Sequence, residues 1–435
     1  MGSFFSCLVN WLCCRSQQRQ QKQQIKNGPI SGNKEIGWAK TYQMEDMGEQ
    51  AVNIKDIKPS ILPQDFDANT DVSNIEIPED DNYNENVKKE INKRMLELSS
   101  ISVGEGANGI VYIAYQLDKQ YSRDLMADHL ACKVMDLKVK VNRNKTIISK
   151  KRKEDFISEL SLMVRLSKHP NIVKILDYCI IGHKCYLFMD LAERGSLDSE
   201  RKRHAPYEES VAKQYFSQIT SAIYYLHCAL GIAHLDIKLG NILVFNKQSP
   251  FDTNCKVTLK VTDFGLSRLR IDSNGIMKEF DPRGTVPFMS PQVLLLYIKE
   301  KLDEESLFGE QRPFNPFIAD IWALGVCLYI LLFNDYPFGY EKDPRLMKNV
   351  LDDMKRKSYL DILRKKENDL QKTSNRQKNK RNKELSRECM DLIEDCIEPN
   401  PHKRLPIYDV ACHVWFDNTY TIEQITSPVY LSSID

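Results

Sequence analysis

Apolar residues in this chain keep two different periods, and the order in which the periods appear limits the folds open to it. Over "LSSISVGEGANGIVYIAYQL" apolar and polar residues alternate around a glycine cluster, which predicts a hairpin of two strands. "HLACKVMDL" and "CYLFMDL" predict further strands. Between them, "EDFISELSLMVRLSKH" sets Phe156, Leu160, Met163 and Leu166 on one helical face. Beyond Ser210 helical spacing dominates, in "ESVAKQYFSQITSAIYYLHCAL", "IWALGVCLYILLF" (321–333) and "SRECMDLIEDCI". Strands first and helices afterwards predict an α+β arrangement of two lobes of different class.

The 435 residues suffice for one large or two medium domains plus tails. Residues 15–90, rich in Gln, Asn, Asp and Lys, bury too little apolar surface to offset their ordering entropy, so a largely disordered tether is expected over 1–95. One domain is expected over 96–416, with lobes at about 96–190 and 191–416, followed by a short tail, 417–435. Two stretches interrupt the second lobe, near 295–316 and 364–384; the latter is strongly basic and is expected to be a solvated surface insertion. A formal charge of +1 points to no nucleic acid or other polyanionic partner. The 12 cysteines form no CxxC pair and no Cys/His ladder at zinc spacing, and no secretory signal is apparent, which together predict reduced thiols in a cytoplasmic compartment. The apolar run 321–333 is too short to span a bilayer and predicts a buried helix.

Chemistry enters with "VGEGANGIV". Gly104, Gly106 and Gly109 form GxGxxG, a weak signal alone. A dinucleotide-binding turn requires a helix directly afterwards, whereas "IVYIAYQ" predicts a strand. A glycine hairpin folding over phosphates and a plain tight turn both remain, and the downstream residues decide between them. Lys133 in "ACKV" lies on the next strand and Glu159 on the following helix, so a carboxylate is available to orient a phosphate-binding amine. In "GIAHLDIKLGNILV", Asp236, Lys238 and Asn241 interrupt an apolar segment, and Asp263 follows in "KVTDFGLSR". A carboxylate and an amide oxygen can hold Mg²⁺ while leaving room for phosphate. A second carboxylate can accept a hydroxyl proton.

With these residues in this order, the chain resembles the eukaryotic protein kinase family over about residues 97–416. The quoted pieces are "GEGANGIV", "ACK", Glu159 before "HPNIV", "HLDIKLGN", "DFG" (263–265), "GTVPFMSPQ" (284–292) and "DIWALG" (320–325). "EPNPHKR" and "HVWF" are similar to the calmodulin-dependent and AMP-activated kinase group. The resemblance implies the bilobal kinase fold, a small antiparallel sheet lobe with one key helix and a larger helical lobe. It also implies ATP and Mg²⁺ as cofactors. Gly104, Glu105, Gly106, Gly109, Val111, Ala131, Lys133, Glu159, Asp190 and Ala192 would contact the nucleotide or orient what does. Lys133 would bind the α- and β-phosphates, Asp263 and Asn241 would coordinate Mg²⁺, and Asp236 would be the catalytic base. Lys238 would reach the transferred phosphoryl group. His234 would be a packed prop under the loop rather than an acid or base. Lys238 two places after the base and Thr285 in the substrate-facing segment match serine/threonine kinases, so the implied partners are proteins with Ser or Thr acceptors.

Three positions depart from the family. Leu235 stands where an arginine usually receives an activation-loop phosphate, and that loop has Glu279 and Asp281 but no Ser or Thr just before Arg283. Activity independent of a loop phosphate is therefore expected. Gln292 replaces a glutamate that would pair with Arg404, and Asn108 replaces an aromatic at the glycine-loop tip. None removes a phosphate- or metal-handling group. The alternative readings are a pseudokinase that binds without transfer and a scaffold whose long tail is the functional part.

The chain opens "MGSFFSCLVNWLCC". Gly2 after the initiator methionine and Ser6 fit N-myristoylation, and Cys7, Cys13 and Cys14 supply palmitoylation sites. One acyl chain binds marginally, so the cysteines matter as a second signal. The expectation is a kinase held peripherally on the cytosolic face of a membrane.

Overall fold

The computed structural model describes residues 96–106, 109–116, 129–142, 145–166, 169–181, 183–246, 257–269, 282, 284–302, 314–338, 342–356 and 385–416. The 1–95 tether with Gly2, Ser6, Cys7, Cys13 and Cys14, and also Asn108, Glu279, Asp281, Arg283, the 364–384 insertion and the tail from 417, lie outside the described residues.

The first lobe is built on a five-stranded antiparallel sheet, ordered β1-β2-β3-β7-β6. Its strands are β1 (Leu96–Gly106), β2 (Gly109–Gln116), β3 (His129–Asp136), β6 (Ile175–Ile181) and β7 (Lys184–Asp190). Strand alternation divides its side chains between two apolar clusters. Ala131, Met135, Cys185, Leu187 and Met189 join the main core. Cys132, Tyr186 and Phe188, one residue out of phase, pack with Ala114, Cys179 and Ile181 on the other face. Lys133 shares parity with Ala131 and Met135, so its side chain leaves on the main-core face. That is the face on which helix α1 (Lys150–Leu166) packs through Phe156, Leu160, Met163 and Leu166, all buried.

Two features here differ from the sequence reading. A separate hairpin, β4 (Lys138–Asn142) with β5 (Lys145–Ile148), stands between β3 and α1. The alternation of lysine and valine in "KVKVN" carries it. Helix α1 also starts at Lys150, four residues before the first periodic segment.

The second lobe is mostly helical. Its helices are α2 (Leu197–His204), α3 (Glu209–Tyr224), α4 (Pro291–Leu302), α5 (Pro316–Phe333), α6 (Pro344–Arg356), α7 (Arg387–Cys396) and α8 (Ile407–Ala411). Short ladders β8 (Ile232–Ala233) with β11 (Arg268–Leu269), and β9 (Ile242–Phe245) with β10 (Thr258–Val261), frame the polar stretch at 234–241. Helix α5 is the central post. Asn315 caps it by accepting from the Phe317 N–H at 2.9 Å, Pro316 pre-sets its first turn, and Asn334 ends it in the left-handed region at φ 53°. Its 18 residues are apolar enough to cross a membrane, yet 15 of them are buried in the protein core, as a buried helix requires. Residues 295–302, within the first interruption, continue α4 and bury Ile298. None of the eight described cysteines is in a disulfide. The architecture is α+β and bilobal, as the order of periods predicts.

Candidate active site

The segment 231–245 is held from below by one residue of α5. Asp320 is the lone charge in an otherwise apolar helix and is 1% exposed. Its Oδ2 accepts the N–H of His234 at 2.7 Å and His227 Nε2 at 2.8 Å, while Oδ1 accepts the N–H of Leu235 at 2.8 Å. A carboxylate buried this deeply needs such donors, and a loop whose backbone feeds it cannot drift. The two strained residues of the site lie close to these anchors: Leu235 at φ 67° and Asp263 at φ 66° occupy the left-handed region without being glycine.

His234 is fully buried and makes no reactive contact. Its Nδ1 accepts the Asp236 N–H at 3.2 Å, so Nε2 carries the hydrogen and donates to the Thr262 carbonyl at 3.1 Å. It is the prop the family resemblance implies, tying the Asp236 loop to the strand that leads into Asp263.

Asp236 is the hub. Lys238 Nζ reaches its Oδ2 at 2.6 Å, Asn241 Nδ2 donates to the same oxygen and to the Asp236 carbonyl at 3.0 Å each, and Thr285 Oγ1 donates to Oδ1 at 2.9 Å. Lys238 also donates to Thr285 Oγ1 at 2.8 Å, which closes a ring of three side chains. Gly284 lets that ring close. At φ 126°, a Cβ there would lie 3.1 Å from the Leu235 carbonyl oxygen and 4.0 Å from Asp236 Oδ1.

The second cluster spans both lobes. Lys133 Nζ donates to Glu159 Oε1 at 2.7 Å and to Asp263 Oδ1 at 3.3 Å, joining β3, α1 and the second residue after β10. Burial alone would pull the Lys133 ammonium down, but the Glu159 and Asp263 carboxylates outweigh it and leave the pKa raised. Burial would raise Asp263; the Lys133 and Lys238 ammonium groups overcome that and hold the carboxyl below its usual range. Both groups are therefore charged near neutral pH.

The glycine hairpin lies above these charges. Gly104 pairs with Val111, Glu105 with Ile110 and Gly106 with Gly109, and Val111 in turn pairs with Lys133. Gly109 has no alternative, because a Cβ would lie 2.5 Å from the Val134 carbonyl oxygen at a φ of 143°. Ala131 is buried between β2 and β7, opposite Ile113 and Met189. Asp190 and Ala192 lie where β7 runs into the second lobe, and the Asp190 carboxylate is taken by Lys260 at 2.7 Å, so that carboxylate is already spoken for. The predicted nucleotide residues thus lie on the neighbouring strands β1, β2, β3 and β7, with Glu159 on α1 and Ala192 just beyond β7.

No group of three His, Cys, Asp or Glu side chains forms a ready metal site among the described residues. The donor set fits Mg²⁺ in a different way. Asn241 commits its nitrogen to Asp236, which leaves its oxygen to a cation, and Asp263 adds one ionised carboxylate. Two hard oxygens with room for phosphate and water match what Mg²⁺ takes from proteins.

Sequence reasoning missed Asp320 and the bridging contacts of Thr285. The first left a signal, since a single acid inside "PFIADIWALGVCLYILLF" must be paired with buried donors. The second left none, because Thr285 lies 49 residues from Asp236.

Comparison with known proteins bears on the same residues. The family model described as "Protein kinase domain" matches residues 99–416. Serine/threonine-protein kinase CHK1 of Saccharomyces cerevisiae is 31% identical over 240 residues, covering 54% of this chain and 38% of that protein. CBL-interacting serine/threonine-protein kinase 7 of Arabidopsis thaliana is 28% identical over 298 residues, 68% of this chain and 58% of that protein. Serine/threonine-protein kinase SAPK5 of Oryza sativa is 25% identical over 252 residues, 58% of this chain and 56% of that protein. The chain therefore spans less than two thirds of the length of these relatives. Because the family match runs unbroken from the glycine hairpin past the Asp320 anchor, this chain belongs to the protein kinase family.

Proposed function

We propose that the chain is an ATP-dependent serine/threonine protein kinase, which transfers the γ-phosphate of ATP to Ser or Thr hydroxyls of proteins. The observation that carries this reading is the double cluster: Asp236 fixed by Lys238, Asn241 and Thr285, and Lys133 fixed by Glu159 and Asp263. Phosphoryl transfer asks for positioning and fixed charge more than for reactive groups, and these two clusters supply both. Asp236 accepts the acceptor hydroxyl's proton, and its oxygens are aimed by three side chains. Lys238 lies against that carboxylate, where it stabilises charge on the phosphoryl group in transit. Lys133 holds the phosphates at the other end, oriented by Glu159. Asp263 and Asn241 are the residues that would hold Mg²⁺, which when bound neutralises charge on the triphosphate. The serine/threonine class is supported by the names of the relatives and by the Lys238–Thr285 contact.

The test is incorporation of radiolabelled phosphate from ATP into generic acceptor proteins, with Asp236→Asn as control. The expected loss is about 10²- to 10⁴-fold, the range for removing a general base. A wild-type chain that binds ATP yet incorporates nothing favours the pseudokinase reading. Unchanged biological activity of Asp236→Asn favours the scaffold.

A membrane tether completes the proposal. It rests on Gly2, Ser6, Cys7, Cys13 and Cys14, followed by Arg15, Arg19, Lys22 and Lys26 with no acid among these basic residues. Basic residues held near anionic lipid add up to about 1 kcal/mol each. Gly2→Ala is expected to move the protein from the membrane to the soluble fraction of a cell lysate. A wild-type chain already soluble ends this part of the proposal.

A further inference from the structure

The hairpin β4–β5 and the first turn of α1 form one platform. The Ser149 N–H donates to the Leu137 carbonyl at 2.9 Å, and Arg152 Nη1 donates to the carbonyls of Asp136 and Lys138 at 2.8 and 2.9 Å. From Leu137 to Lys153 the chain has eight basic residues and no acid. Lys138, Lys150, Lys151 and Arg152 are exposed, and so are Ile147 and Ile148, at 43% and 36%. Asp136, at the edge, accepts the Lys138 N–H at 2.8 Å and lies 3.9 Å from His183. The first turn of α1 holds no acidic residue, so its lysines and arginine crowd the positive end of the helix dipole. That arrangement weakens the helix unless negative charge covers it.

The same chain carries the complement. Between Pro59 and Val87 there are eight acidic residues and no Lys or Arg: Asp65, Asp67, Asp71, Glu76, Glu79, Asp80, Asp81 and Glu85, with Ile75 and Ile77 among them. The strand register puts Leu96 at the end of the sheet where β3 begins, and β4 departs from the opposite end. Strand rise and spacing make that separation about 25–30 Å. The ten residues between Glu85 and Leu96 reach about 35 Å when extended. The span is therefore sufficient, and a short tether raises the local concentration of one charge run at the other.

We infer that the acidic segment 65–85 docks in cis on the basic platform of β4–β5 and the start of α1, with its isoleucines against Ile147 and Ile148. Docking adds negative charge beside a first turn that holds no acidic residue of its own, Glu154 and Asp155 coming only in the second. Because α1 also carries Glu159, it holds the partner of Lys133 in place. The surface stands on charge, reach and exposure, and its test reads binding directly, so failure of the kinase reading would leave it untouched.

The test uses the full chain and carbodiimide, which joins carboxylates to amines in direct contact. Monomeric protein at low salt is expected to give cross-linked peptides pairing 65–85 with Lys138, Lys150 or Lys151. The yield should fall several-fold at 1 M salt, where the screening length shrinks to about 3 Å. Amides at the start of α1 should exchange about fivefold faster once all eight acids are changed to Asn or Gln, as loss of a helix-end charge interaction predicts. Lys138→Glu with Lys151→Glu should abolish the cross-link, and adding Glu79→Lys with Asp81→Lys should restore α1 protection. Arg152 is left intact because it ties the platform together. Cross-links found only between copies, or exchange unchanged in the eight-acid variant, overturn the inference. So does α1 protection that appears only with anionic vesicles, which would assign the platform to a lipid surface.

Discussion

Around Asp236 the anchors all come from within the helical lobe and mix backbone amides and neutral side chains with the Lys238 ammonium and the Asp320 carboxylate, whereas around Lys133 the anchors are two carboxylates, one from each lobe. The first half is braced to the buried helix α5 and resembles a piece of core. The second is an ion triad whose members move if α1 or the sheet moves. On the proposed function, a site built this way would hold the Asp236 end to the buried helix α5, while the Lys133 end depends on where α1 places Glu159.

The sharpest way to break that comparison is to cut one anchor on each side. Asp320→Ala leaves the N–H groups of His234 and Leu235 and the Nε2 of His227 without their acceptor, so stability should fall by about 4 kcal/mol and activity with it. Lys133→Met should lower transfer about 10³-fold while the melting temperature stays within a few degrees of wild type. Thermal melts beside a phosphate-incorporation assay separate the two. Equal destabilisation by both variants would mean that the halves are not built differently.

The seam between the halves offers a pH test. His169 accepts the Asn171 N–H at 3.1 Å, lies 3.3 Å from Ser221 Oγ on α3 and stacks on Tyr225. Burial pushes it down to about 3. The unfolded chain takes up a proton below about 6.5 while the folded one does not, so this contribution is complete above that pH and erodes as pH falls toward the folded value. At pH 5 the loss is about 2 kcal/mol. Denaturant midpoints between pH 7.5 and 5 should show it, and His169→Gln should flatten the slope. The lowered carboxyl of Asp263 acts in a different window, since its contribution is present at neutral pH and is lost only below about 4.

A smaller effect is expected at Thr285, which bridges Asp236 and Lys238. Thr285→Ala should slow transfer about tenfold, as loss of one positioning hydrogen bond of about 1.4 kcal/mol does. Thr285→Ser should restore most of the rate, which a purely steric role would not allow. The smallest effect concerns Gln292. It accepts from Arg404 Nη2 at 3.2 Å and donates to the Pro399 carbonyl at 2.5 Å. Gln292→Glu strengthens the first contact and turns the second into a repulsion, so the net change should stay within about 1 kcal/mol by chemical denaturation.

Where a residue's role depends on its own strand or helix, the sequence was a sufficient guide. Two-residue periodicity placed Lys133 on the face of Ala131 and Met135, helical periodicity placed the buried stripe of α1, and glycine spacing placed the hairpin above them. The apolar run at 321–333 identified the central post, and its single aspartate was a readable sign of a buried anchor. The hairpin β4–β5 escaped because its strands run for only five and four residues, too short for their alternation to stand out beside β3. The left-handed backbone at Leu235, the Thr285 bridge to Asp236 and Lys238, and the propping role of His234 were decided by contacts from residues 28 to 86 positions away. Local pattern fixes which face a side chain takes, because steric and hydrophobic periods act over a few residues. Which charges then meet, and which strained dihedrals survive, depends on partners that only the packed chain brings within hydrogen-bond distance.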